Sequence, residues 1–256
     1  MGAGAITSQI DVAQLTLYAF WIFFIALVFY LHRENKREGY PLDSDASGRR
    51  SVEGWPGVPK PKIFHLWDGR TVQAPRPEAF SRPKNAVDNG VYIGQPLDPV
   101  GNPLLAGVGP GAWAERGHEP ARTIDGRSAI VPIGMADDVS INEKDPDPRG
   151  LDVVALDGRV AGTVADVWVD LTEPQIRYLE VQTLPGAGGR RVLLPIYYAV
   201  VDNGIVSVQS ITAEQFANVP VTARRDQISL TEEDKISAYF SAGNMWATPQ
   251  SSEPLI

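Results

Sequence analysis

Between Val12 and Leu31 the chain runs for about twenty positions without a charged side chain. Polarity then returns abruptly as His32, Arg33, Glu34, Lys36, Arg37 and Glu38. At about 1.5 Å of rise per residue such a helix is about 30 Å long, the thickness of a bilayer's hydrocarbon core. The pattern predicts one transmembrane helix, and no later stretch is long and apolar enough to cross again. A secretory signal would place Lys or Arg before an apolar run of about 7–15 residues. Residues 1–10 carry no basic side chain, so a retained anchor is expected. The basic residues Arg33, Lys36 and Arg37 follow the span, which puts the N-terminus outside and the bulk of the chain in the cytoplasm. Tyr30, His32, Arg33 and Tyr40 fall where side chains meet the membrane interface and its lipids. No Asp, Glu, Lys or Arg interrupts the span, so it reads as a tether or packing surface and not as a conduit.

A second pattern begins near residue 151. In "RVAGTVADVWVDL" Val167, Val169 and Leu171 alternate with Asp166, Trp168 and Asp170, the period of a half-buried strand. "IRYLEVQTL", "RRVLLPIYYAV" and "GIVSVQSI" follow, separated by the turn signals Thr172-Glu173-Pro174, "PGAGG" and Asp202-Asn203-Gly204. Short strands at this spacing predict a small antiparallel barrel. "TAEQFANVP" reads as a short helix with Thr212 and Gln215 as a capping box. "LTEEDKISAYFSAG" reads as a second helix, capped by Thr231, favoured by Glu232 and Glu233 in its first turn and stopped by Gly243. The tail, 247–256, is expected to fray.

Residues 41–150 lie between the two patterns and are broken by proline and glycine, as in "GWPGVPKPKIF", "QAPRPEAFSRPK" and "EKDPDPRG". Proline fixes φ and removes a donor, so long regular elements are not expected. Too many Val, Ile, Trp and Phe are present for plain disorder. This part is therefore expected to be extended and to gain order from a partner surface. The organisation that results is 1–35, N-terminal end and span; 36–150, extended cytoplasmic segment; 151–246, β domain with C-terminal helix; and 247–256, tail.

Composition removes several function classes. With no cysteine there is no disulfide, thiolate metal site or thiol catalysis. A net charge of -8 argues against a nucleic-acid partner. His32, His65 and His118 are far apart and give no metal-ligand spacing. No P-loop, dinucleotide fingerprint or nucleophile elbow occurs. The informative cluster is "DVWVDLTEPQIRYLE", where Asp170, Glu173 and Arg177 should surround one hairpin end. Two carboxylates beside one guanidinium form a coupled set, and a group tuned near working pH can pass protons. From spacing alone a solvated turn with a surface ion pair, worth about 0–1 kcal/mol, is the simpler reading.

These residues resemble one family over nearly the whole chain, the H subunit of the photosynthetic reaction centre of purple bacteria. The resemblance rests on the N-terminal span followed by Arg37-Glu38-Gly39-Tyr40-Pro41-Leu42, then "GVGPGAW", "DPDPRG", "GTVADVWVD", "EPQIRYLEV", "FANVP" and "EEDKISAYF" in that order. It implies a single transmembrane helix joined to a mainly-β cytoplasmic domain with a small PRC-type antiparallel β-barrel and short C-terminal helices. It implies a non-catalytic subunit in the bacterial inner (chromatophore) membrane. That subunit caps the cytoplasmic face of the L and M subunits, shields the secondary quinone and assists proton delivery to it during light-driven electron transfer. No cofactor is expected on this chain. Bacteriochlorophyll, bacteriopheophytin, quinones, non-haem iron and carotenoid belong to the partner subunits. A cytochrome subunit, the light-harvesting antenna ring and membrane lipids are further partners the resemblance suggests. Asp170, Glu173 and Arg177 match family positions near the proton route, Glu232 and Glu233 are further acidic candidates, and Asp125 matches an acid at the proposed proton entrance. Some members follow that acid with a His-x-His pair. Here Arg127 and Ala129 stand at those places, so the His-based entrance and its metal binding are not expected, and a carboxylate-and-water entrance is left open. The rival reading is a single-pass anchored sensor or binding module without pigmented partners.

Overall fold

The computed structural model of the chain describes residues 11–40, 42–44, 49–52, 54–75, 85–87, 95–137 and 139–251. The N-terminal end at 1–10, most of "QAPRPEAFSRPK", Asp138 and the end of the tail at 252–256 lie outside the described residues. The apolar run forms helix α1, Val12–Glu34, capped by Asp11, whose carboxylate accepts the Gln14 amide at 2.7 Å. The helix continues past Leu31 because His32 and Arg33 complement the negative end of its dipole. A single 3-10 turn, Asn35–Arg37, follows. None of the helix's residues is buried against the rest of the chain, and it is long and apolar enough to cross a membrane.

Contacts divide the chain into two units, Met1–Arg82 with Val91–Gly94, and Pro83–Gly90 with Gln95–Ile256. In the first, strands β1 (Leu42–Ser44) and β2 (Arg49–Val52) pair, as do β3 (Lys62–His65) and β4 (Thr71–Ala74). Two-stranded pairs are marginal by themselves. β3 and β4 are anchored to the helix end by Glu34, which takes Lys62 at 2.7 Å and Arg37 at 2.8 Å, while Arg37 also donates to the carbonyls of Lys60 and Ala74.

In the second unit β5 (Ala86–Val87) pairs with β6 (Asp98–Pro99), and a seven-stranded sheet forms the body. Its strands are β7 (Ile130–Pro132), β8 (Asp152–Val154), β9 (Val160–Asp170), β10 (Gln175–Thr183), β11 (Arg191–Pro195), β12 (Ala199–Asp202) and β13 (Ile205–Val208). The ladder runs β11-β10-β9-β8-β13-β12, and β7 lies beside β9 at the end that β8 leaves free. All pairings are antiparallel except β8 with β13, which run parallel. The expected single strand "RRVLLPIYYAV" breaks at Pro195 into β11, a 3-10 turn and β12. That bend carries one continuous stretch of chain from one end of the ladder to the other. The turn after β12 is a tight hairpin, with Asn203 and Gly204 both at positive φ (50° and 77°).

The core contains Val153, Val167, Trp168, Leu179, Leu194, Ile211 and Phe216 of the β part and Ile236, Tyr239 and Phe240 of helix α2, Leu230–Trp246. Leu104, Ile130, Val131 and Ala136 join it, so the proline-rich segment contributes both a strand and core side chains. Four local expectations need correction. Trp168 was expected on the polar face of its strand but is buried, because its indole N–H finds Glu180 at 2.9 Å inside. "TAEQFANVP" forms a 3-10 turn, Glu214–Asn218, with only half a capping box, the Thr212 amide donating to Gln215. Helix α2 is capped by Ser229 and not Thr231, with Glu232 closing a full capping box. Gly243 does not stop α2 but lies buried within it. Part of the tail, 248–251, is ordered by a turn in which Thr248 and Ser251 are bonded. We predict that Ser229→Ala lowers stability by about 1 kcal/mol in denaturant unfolding, since a helix N-terminal amide loses its acceptor. Thr231→Ala removes hydrogen bonds to the carbonyls of Arg116 and Gly117 but no cap.

Candidate functional site

The hairpin between β9 and β10 gathers the expected residues at one end, with a different partner from the one sequence spacing suggests. Asp170 Oδ1 accepts from the Thr172 amide at 2.8 Å, the Thr172 hydroxyl at 2.5 Å and the Glu173 amide at 3.4 Å. It therefore holds the turn together. Glu173 is exposed and touches Gln175 at 3.5 Å. Arg177 pairs with neither. Its guanidinium lies 3.9 Å from Glu233 of α2 and 5.8 Å from the ring centre of Tyr197.

The register explains this. Gln175 and Ile176 face Asp170 and Val169, then the pairing skips so that Tyr178 faces Trp168. Arg177 is the extra residue of a β-bulge. In a regular strand neighbours point to opposite faces, but a bulge re-aims a side chain. Arg177 and Tyr178 thus converge on one carboxylate, with the Tyr178 hydroxyl donating to Glu233 Oε2 at 3.3 Å.

Glu233 is the acid whose environment is set against its charge. Burial pushes its carboxyl up. The Tyr178 hydroxyl, Arg177 and Arg116 pull it down, and Asp170 adds to the rise. The net direction is upward, so Glu233 holds a proton at higher pH than an ordinary glutamate. Tyr178 is also pushed far up, by burial and then by the Glu233 charge, and stays a neutral donor. Glu232 behaves oppositely. Burial raises its carboxyl, but the amides of Ser229 and Ala223 outweigh that and hold it below the usual range. Its oxygens accept from Ala223 at 2.6 Å and from the Ser229 amide and hydroxyl at 2.8 Å. Of the adjacent acids, then, one caps the helix and the other faces the hairpin.

Asp125 sits apart in an exposed turn, 3.9 Å from Arg127. The stem of this turn bonds Ala129 to Ala121 at 2.7 Å, and Leu171 in turn donates to Ala129 at 2.8 Å. A backbone ladder therefore joins the Asp125 turn to the Asp170 hairpin, although no side-chain bond connects the two acids. At the C-terminal end of α1, Tyr30, His32 and Arg33 are exposed on its last turns, and Lys62 lies 5.9 Å from the Tyr30 ring centre. Tyr40 lies under Lys36 at 5.1 Å, and the Lys36 ammonium also reaches the Pro56 carbonyl at 2.6 Å.

Residues 4–135 match the family described as photosynthetic reaction centre, H-chain N-terminal region, and residues 140–215 match the PRC-barrel domain. The chain belongs to the photosynthetic reaction centre H-chain family. An H chain associates with the reaction centre complex and its L and M subunits, and α1 is consistent with single-pass anchoring. Asp125 lies within the first matched segment and the hairpin of Asp170, Glu173 and Arg177 within the second. Glu232 and Glu233 lie beyond both. The convergence on Glu233 is thus built between the barrel and the helix this H chain adds to it.

The roles of Tyr178 and Arg116 were not legible in the sequence. Strand parity separates Tyr178 from Arg177, and Arg116 comes from a loop, reaching Asp234 beside the acid at 3.3 Å. The only available signal was the tandem Glu232-Glu233, which cannot say which carboxylate turns inward.

Proposed function

We propose that this H chain caps the cytoplasmic face of L and M, shields the secondary quinone from bulk water and passes protons toward it through the Asp170–Glu233 region. The observation that carries this reading is one partly buried acid, raised in pKa, held by Tyr178 and Arg177 beside the Asp170 hairpin. The quinone, held by the partner subunits with the pigments and iron, supplies the redox chemistry and takes up the protons. This chain's residues accept, hold and release them. A partly buried carboxylate whose charge is disfavoured by burial gives up and regains a proton more readily near working pH than an ordinary one, and neighbouring acids share protons as a set. Asp125 supplies a solvent-facing acid on the same backbone ladder and is the proposed entrance. In this reading the N-terminus is periplasmic, Tyr30, His32, Arg33 and Tyr40 meet lipid headgroups, and α1 lies among L–M helices, the antenna ring and, where present, a cytochrome subunit. The chain needs no catalytic site of its own.

The direct test is Asp170→Asn combined with Glu173→Gln. Both replacements keep an acceptor oxygen, so the turn survives. Flash kinetics of the proton-coupled second electron transfer to the quinone should slow severalfold, more at higher pH. Rates equal to wild type across pH would remove both residues from the route.

A further inference from the structure

A cavity of about 330 Å³ lies in the second unit, away from Glu233. Trp168, Glu180, Arg190 and Arg191 of the barrel line it together with Thr222 and Arg225 from the segment before α2. Three arginines and one glutamate therefore line one small space, in a chain whose net charge is -8.

The carboxylate neutralises only one of the three. Glu180 Oε1 takes Arg191 at 2.8 Å, and Oε2 takes the Trp168 indole N–H at 2.9 Å. Arg190 donates to the backbone carbonyls of Ala217 and Val219, neutral acceptors that leave its charge uncancelled. Its buried Nε has no partner. Arg225 is exposed and makes no ion pair among the described residues, whereas its neighbour Arg224 is held by Asp226 at 2.7 Å. Two positive charges thus remain at one concave site. Guanidinium forks match the oxygens of phosphate and carboxylate, and a dianion satisfies two of them at once. The volume is at the low end for a ligand site and large enough for a tetrahedral oxyanion with water.

We propose that this cavity binds a free oxyanion of the phosphate class, with Arg225 and Arg190 supplying the charge and Arg191, fixed by Glu180, forming the wall. The inference does not depend on the proton route, because no residue of the two sites is shared.

The test uses the natively purified complex in detergent with inorganic phosphate as the probe. Phosphate is titrated at constant ionic strength against chloride, with H-chain unfolding temperature and calorimetric heat as readouts. The expected result is a saturable phosphate effect that chloride does not reproduce. Arg225→Gln should weaken it about tenfold, the loss of one charge-assisted contact. Arg224→Gln, an identical charge change one residue away, should leave it intact, and Arg225→Lys should retain part of it. A phosphate response that never saturates, or that chloride matches, overturns the proposal. So does equal weakening by Arg224→Gln and Arg225→Gln, which would mean diffuse charge, or no weakening by either.

Discussion

Gly243→Ala is expected to be among the most damaging single-methyl changes in this H chain, lowering stability by about 3 kcal/mol. A Cβ at Gly243 would lie 2.2 Å from the Ser210 carbonyl oxygen, 2.9 Å from its carbon and 2.5 Å from Ile211 Cγ2. Two of those atoms are backbone, and Ile211 is fully buried, so nothing nearby can rotate away. Relief requires α2 to move off the barrel, which would loosen Ile236, Tyr239 and Phe240 together. Helix propensity pulls the other way, since Ala in a helix interior is favoured over Gly by about 1 kcal/mol. The clash exceeds it, so the sign is destabilising. Gly134→Ala is the control, because no atom lies within 4 Å of its Cβ position. Thermal unfolding of the purified complex, followed by loss of the H chain, measures both. A Gly243→Ala variant as stable as Gly134→Ala would show that α2 is not seated on the Ser210 carbonyl.

Gly243 also shows why part of this fold could not be read in advance. The sequence places a glycine near the end of a helical pattern, and a stop is the usual meaning of that position. Whether a glycine stops a helix or admits a neighbouring backbone depends on contacts distant in sequence. Trp168 repeats the lesson on the strand. Alternation assigns it to the polar face, yet its ring packs in the core while the carboxylate of Glu180 across the ladder satisfies its N–H. What was legible came from local physics. The uncharged run produced α1, the Asn203-Gly204 pair produced its hairpin, and the apolar strands produced the sheet. The candidate site was half legible for the same reason. The hairpin end was visible, but the bulge at Arg177 that turns two consecutive side chains toward Glu233 leaves no mark on composition or period.

The second large effect is expected at Glu233 itself. Glu233→Gln should slow proton-coupled electron transfer to the quinone by about tenfold or more, since a positioned proton-transfer group contributes about 10²–10⁴-fold. The same change should make the H chain more stable at neutral and alkaline pH. The sign follows from linkage. The folded-state pKa of Glu233 is raised above its unfolded value, so between the two the folded chain binds the additional proton. Stability from this group is intact below the unfolded value near 4.5 and falls as pH rises through the folded value. Glutamine is neutral throughout and escapes that fall, while its carbonyl can still accept the Tyr178 hydroxyl. Arg177 and Arg116 favour the charged form and reduce the gain, but the net upward direction means they do not cancel burial and Asp170. Slower turnover together with greater stability separates a proton-handling role from structural damage, which lowers both. Flash kinetics and denaturant unfolding, each followed from pH 5 to 9, provide the comparison. A Glu233→Gln complex that keeps the wild-type rate and the wild-type slope of stability with pH would exclude this acid from proton delivery.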